Sequence, residues 1–136
     1  MTLSVESPIS ASALGAALEA LGLPVYTKDA GGRYSYANRA AELLFGRPGA
    51  DGVVGRNDAE LLTPPAAAAL RAADQSALAQ GTPVLAEHSL ELAGGRRELV
   101  GVRVALGDGA LLGVWLERSD HAPAWIEIGA AGRRRR

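Results

Sequence analysis

The sequence predicts an α+β fold: a five-stranded antiparallel sheet with helices on one face and an amphipathic helix capping the N-terminal side. Three observations lead there. Residues 83–118 spell three apolar strand segments, Val84 to Leu92, Arg97 to Leu106 and Ala110 to Arg118, separated by Ala93-Gly94-Gly95-Arg96 and Gly107-Asp108-Gly109. Glycine at such turns supplies the positive φ of a tight hairpin without steric cost. A shorter strand pair lies upstream, and since a lone two-stranded hairpin is marginal in water, both groups must share one sheet. Finally, the order helix, two strands, several helices, three strands segregates the helices from the meander, as α+β domains do.

Taken in order, Met1 to Glu6 is expected to fray, and Ser7-Pro8 reads as an N-cap followed by proline at the first helical position. Ile9, Leu14, Ala17, Leu18 and Leu21 recur at helical spacing, and Gly22 fits the stop. Such a narrow apolar stripe needs a surface to cover. Leu23 to Lys28 contains the strand formers Val25, Tyr26 and Thr27; Asp29-Ala30-Gly31-Gly32 is a turn; Arg33 to Ala37 returns. Asn38 is placed to cap a helix from Arg39 to Phe45, ended by Gly46. Asn57 with Glu60 forms a capping-box pattern. Thr63-Pro64 opens a longer, alanine-rich helix that runs to about Gln80 and stops at Gly81.

At 136 residues, 48% hydrophobic and 21% charged, the chain has the composition of one globular domain. It contains no cysteine, which excludes disulfides, thiolate chemistry and cysteine-bound metal. No apolar run approaches a membrane span, and no basic segment followed by an apolar core marks a signal peptide, so a cytoplasmic location is expected. Four of the 14 basic residues are Arg133 to Arg136; without them the body carries 10 basic and 15 acidic groups. An acidic body is a poor nucleic-acid surface; the arginine tail reads as a solvated end or the cut edge of a longer polypeptide, with contact to nucleic acid or anionic lipid as the alternative. His88 and His121 have no partner at catalytic or metal-ligand spacing, and neither glycine pair fits a phosphate-binding fingerprint, so no enzyme activity is expected.

The run Val25-Tyr26-Thr27-Lys28-Asp29-Ala30-Gly31-Gly32-Arg33-Tyr34-Ser35-Tyr36-Ala37-Asn38-Arg39-Ala40-Ala41, then Phe45-Gly46, Val54-Gly55-Arg56-Asn57-Asp58 and the closing Leu112-Gly113-Val114-Trp115-Leu116-Glu117-Arg118 together resemble a PAS domain. The resemblance covers about residues 23–119, with 1–22 as a cap or dimerisation helix and 120–136 as a tail or linker. It implies a sensory or regulatory module of a signalling protein, binding a small molecule, homodimerising, or both. Such a module controls an effector in the same or another chain, such as a histidine kinase or cyclic-dinucleotide enzyme. A ligand-free dimerisation scaffold is the alternative. In the family's light-sensing flavin branch a reactive cysteine follows Gly-Arg-Asn; Asp58 stands there in this chain. Haem-binding members use a histidine on the long helix; Thr63 to Gln80 has none. No cofactor is therefore expected, and a small organic or fatty-acid-like ligand is. The family's exit motif is poorly kept at Ser119-Asp120-His121, and no heptads follow.

Which sheet face looks inward is open from pattern alone. One parity reads His88, Leu90, Leu92, Val100, Val102, Val104, Leu106, Leu112, Val114, Leu116; the other reads Glu87, Ser89, Glu91, Leu99, Gly101, Arg103, Leu111, Gly113, Trp115, Glu117. Hydrophobicity assigns the first set to the core. The resemblance implies the inverse, with the Trp115, Gly113 and Arg103 positions facing a pocket. Under that reading the pocket candidates are Tyr26, Glu87, Ser89, Arg103 and Trp115, with Arg103 either paired internally by Glu87 or holding a ligand carboxylate in a bidentate grip. The apolar face then lies outward and needs a cover, which makes Leu14, Leu18, Leu21, Val102 and Val114 the dimerisation candidates.

Overall fold

The computed structural model describes residues 11–49 and 52–118, apart from the side chains of residues 11, 12, 14 and 15. Its elements are α1 (Ala11–Leu21), β1 (Val25–Lys28), β2 (Tyr34–Ala37), α2 (Arg39–Leu44), α3 (Asp58–Leu61), α4 (Pro64–Gln80), β3 (Val84–Leu92), β4 (Gly95–Gly107) and β5 (Ala110–Glu117). The strands form one antiparallel sheet in the order β2-β1-β5-β4-β3. The expected Ser7-Pro8 cap and the tail from Ser119 onward lie outside the described residues.

The capping chemistry acts as the sequence implies. Asn38 Oδ1 accepts from the Ala41 and Val25 amides, at 2.9 and 3.0 Å, while its Nδ2 donates to the Leu23 carbonyl at 2.7 Å. One buried side chain thus starts α2 and fixes the entry to β1. Asn57 and Glu60 close the capping box of α3 reciprocally. Thr63 caps α4, and Gly81 ends it in the left-handed region at φ 70°.

The helices α2, α3 and α4 lie on one sheet face. Leu44, Phe45, Val53, Leu62 and Leu70 from that layer pack on Tyr26, Tyr34, Leu90, Leu99 and Trp115 of the sheet. The inner face of β4 and β5 therefore carries Leu99, Gly101, Arg103, Leu111, Gly113 and Trp115, all buried. Val102, Val104, Leu112, Val114 and Leu116 are half-buried on the opposite face. The hydrophobicity-based assignment of the faces is overturned for β4 and β5, and the inverted one holds there.

In β3 the inverted assignment fails by one residue. The β3–β4 hairpin turns on Ala93-Gly94 alone, pairing Leu92 with Gly95 and His88 with Leu99. A loop of even length pairs even-numbered residues with odd-numbered ones. The inward set therefore switches parity at the turn, and His88 and Leu90 point inward while Glu87 and Ser89 point out.

At the far edge of the sheet, Tyr36 pairs with Thr27 on the outer face, and its hydroxyl donates to Glu19 of α1 at 3.4 Å. That contact places Glu19, near the C-terminal end of α1, beside Tyr36 on the outer face.

Candidate functional site

Five inward-facing side chains form a continuous polar chain between the sheet and the helices. Strand alternation puts Tyr26 and Lys28 of β1 on the inner face, with Arg103 of β4 and His88 of β3. The cap at Asn57 sets Asp58 at the start of α3. On α4, Asp74 falls on the buried stripe of Ala67, Leu70 and Ala77.

Lys28 Nζ donates to Asp58 Oδ2 at 2.5 Å and to Asp74 Oδ2 at 2.6 Å. Asp74 Oδ1 accepts from Arg103 Nε at 2.7 Å, and Arg103 Nη2 lies 3.0 Å from His88 Nε2. Because arginine only donates, His88 Nε2 is the acceptor and its proton sits on Nδ1. Tyr34 adds a phenolic donor to Asp58 Oδ1 at 2.6 Å. Lys28 and Arg103 are 1% and 0% exposed, a burial that charges tolerate only when paired as here. Both cations also face aromatic rings, Lys28 over Tyr34 at 5.0 Å and Arg103 over Trp115 at 5.5 Å.

The chain's charges cancel, two carboxylates against two cations, with a neutral imidazole at the end. Burial, then the adjacent Arg103 guanidinium, pushes His88 down to about 4. Burial, then the Asp58 carboxylate, raises Tyr34, and burial raises Tyr26. The phenols and the imidazole are thus held neutral near pH 7, and the charged groups are committed to one another. This arrangement suits binding and not proton transfer.

The chain opens at one end on a cavity of about 350 Å³, bounded by the β1–β2 turn, α3, α4 and the β4–β5 turn. Lys28, Asp58 and Asp74 form its inner wall, and Arg71 and Gln75 of α4 also line it. The other end, at His88, reaches a groove of about 330 Å³ between the edge strand β3 and the first turns of α4. Arg103 Nη1 and Trp115 Nε1 are buried donors without a hydrogen-bond partner among the described residues.

Of the expected pocket residues, Tyr26, Arg103 and Trp115 come together in the interior: the Tyr26 and Trp115 rings are 6.3 Å apart. Glu87 and Ser89 do not join them. Glu87 pairs with Arg118 at 2.7 Å, and Ser89 bonds Glu98 and Arg96, all away from the interior. Arg103 is partnered by Asp74 and His88 in place of the expected Glu87, for the parity reason given above. Of the dimerisation candidates, Val102 and Val114 face each other across β4 and β5 on the outer face. Leu18 is half-buried and Leu21 is 63% exposed, while the Leu14 side chain lies outside the described residues. Lys28, Asp58, Asp74 and His88 were missed as site residues. Asp74 carried a readable signal, a carboxylate on the apolar stripe of a helix, which calls for a buried cation opposite.

A family model described as PAS fold matches residues 18–115. No curated protein matches the chain by sequence. Among solved structures it is similar to VqmA bound to DPO, at TM-score 0.70 and 21% identity over 79% of this chain and 57% of that one. It is also similar to the PAS domain of the Cronobacter turicensis quorum-sensing receptor RpfR in complex with C12:0, at TM-score 0.62 and 19% identity over 72% of this chain and 95% of that one. A third is the PAS domain of Bordetella pertussis BvgS, at TM-score 0.64 and 21% identity over 88% and 94% of the two chains. This chain thus spans little more than half the length of VqmA.

Proposed function

The chain belongs to the PAS fold family, and from that premise we propose that it is a non-enzymatic sensory domain of a signal-transduction protein. It takes a small organic molecule in the cavity beside Lys28, Asp58 and Asp74 and passes the occupancy to an effector. One observation carries this reading: a net-neutral chain of buried ion pairs and hydrogen bonds runs unbroken from the cavity wall across the sheet to His88 on the edge strand β3. A guest that takes a hydrogen bond from any member alters the partners of the next, and the sheet is where the chain ends.

The effector is a histidine kinase, a cyclic-dinucleotide enzyme or another output module, in the same or another chain. VqmA is described in a complex with ligand and DNA; given the acidic body of this chain, the proposal puts any such contact on the effector. The working form is a homodimer that buries the outer sheet face and α1. No helix among the described residues is long and apolar enough to cross a membrane, and the proposed setting is the cytoplasm.

A fatty-acid-like ligand is the second reading of the site, motivated by the C12:0 complex of RpfR. A ligand-free scaffold is the competing function, and the filling of the interior by Tyr26, Arg103 and Trp115 favours it. Native mass spectrometry of the purified protein separates them. A sensor retains a small molecule, or acquires one from a metabolite extract, and Lys28→Met abolishes the adduct. A bare dimer that takes up nothing from such an extract leaves only the scaffold.

A further inference from the structure

Arg71 differs from the two cations of the buried chain. It lies on the exposed side of α4, lines the cavity, and makes no side-chain hydrogen bond or ion pair among the described residues. Lys28 and Arg103, by contrast, are each held by carboxylates. The inner wall has the opposite character. The Asp58 and Asp74 side chains are 12% and 11% exposed, and each oxygen accepts one hydrogen bond from Lys28, Arg103 or Tyr34. A carboxylate oxygen has two lone-pair directions, so both acids keep acceptor capacity for a guest.

The cavity thus has a free cation with a planar donor fork and, on its inner wall, acceptors whose charge is already neutralised. A simple anion would satisfy Arg71 and leave the spare acceptor capacity of Asp58 and Asp74 unmet. A simple cation would find the carboxylates taken and Arg71 repelling it. A guest carrying both an anion and its own hydrogen-bond donor satisfies each group. The volume, about 350 Å³, is at the small end of ligand pockets, which run ~300–1,000 Å³.

We propose that the cavity binds a small carboxylate bearing an adjacent hydroxyl or amino donor, an α-hydroxy or α-amino acid, with the carboxylate on the Arg71 fork and the donor on Asp58 or Asp74. This rests on the sensory reading above and names its ligand class. Bidentate arginine–carboxylate pairs are the strong, geometrically selective form of this contact. Lysine at position 71 would keep the charge and lose the fork.

Isothermal titration of the full chain with L-lactate, L-serine, propanoate and dodecanoate tests it. Lactate or serine is expected to bind at least ~10-fold more tightly than propanoate, which lacks the donor. Arg71→Ala weakens that binding by about 10-fold or more and Arg71→Lys restores part of it. Thermal unfolding without ligand stays unchanged in both variants, since Arg71 holds nothing in the fold. Equal binding of lactate and propanoate, or indifference to Arg71→Ala, overturns the inference. Binding of dodecanoate alone, or retention of some other small molecule in native mass spectra, sinks this ligand class and leaves the sensory reading standing. No binding of any probe and no retained species sinks both.

Discussion

Asp74 and Arg103 meet at 2.7 Å between the long helix and the middle of the sheet, the arginine fully buried and the aspartate also held by Lys28. The two ends of this contact are unequal. Removing Asp74 leaves Arg103 buried without a carboxylate and Lys28 with Asp58 alone, whereas removing Arg103 leaves Asp74 with Lys28. Breaking a buried pair from one side costs ~3–5 kcal/mol. Asp74→Ala is expected within that range and Arg103→Met below it. Urea unfolding of the two variants measures the order; a costlier Arg103→Met would refute the shared role of Asp74.

His88 gives the fold an acid limit. Its pKa falls from an ordinary 6.5 to about 4 on folding, so the unfolded chain binds the extra proton between those values. Stability is therefore full above pH 6.5 and declines as the pH drops toward 4. His88→Gln keeps an acceptor for Arg103 and cannot titrate. Melting temperatures of the variant from pH 7 to 4 should lose this component of the slope, and an unaltered slope would exclude His88 as its source.

Gly113 is fixed by the Tyr26 ring. A Cβ at position 113 would collide with Tyr26 Cζ, Oη and Cε2, within a strand pair that holds both residues in register. Gly113→Ala should destabilise by ~1–3 kcal/mol or more. Combined with Tyr26→Leu, it should cost less than the two single changes added. Additive costs in a double-mutant cycle would mean that the ring moves aside freely.

The outer face supplies a prediction about assembly. Val102 and Val114 are cross-strand neighbours on that face, half-buried within one chain. If a second copy covers them, Val114→Glu places a charge in the interface and converts dimer to monomer in sedimentation velocity. Deleting residues 1–22 should have the same effect by removing α1. An unchanged oligomer in both variants would rule this face out.

Much of the architecture was readable because turn and cap residues mark their positions through local chemistry. Asn38, Asn57, Thr63 and Gly81 each act within a few residues of themselves. The faces of the sheet were harder, since the outward residues Val102, Val104 and Val114 are more hydrophobic than the inward Gly101, Arg103 and Gly113. Hydrophobicity reports burial of any kind and does not say which layer provides it. The placement of Glu87 and Ser89 lay within reach of residue counting, because a turn of even length switches the parity unless a bulge restores it, as one does between Ala105 and Gly107 beside the β4–β5 turn. The ion-pair chain was the least legible part. Lys28, Asp58, Asp74 and Arg103 are far apart in sequence, and their pairing follows only once β1 lies in the sheet beneath α3 and α4.

The position of β1 also bears on how the domain responds to mechanical load. β1 runs antiparallel to β5, Val25 opposite Val114, and the Trp115 amide donates to the Pro24 carbonyl at 2.9 Å. The chain thus enters the sheet and leaves it at the same end. A force separating α1 from the residues after Glu117 would peel this strand pair one hydrogen bond at a time, beginning next to Trp115. Strands loaded in this unzipping direction yield more readily than strands pulled along their length, where many bonds share the load. Tension between the preceding and following segments would first load the bond between the Trp115 amide and the Pro24 carbonyl.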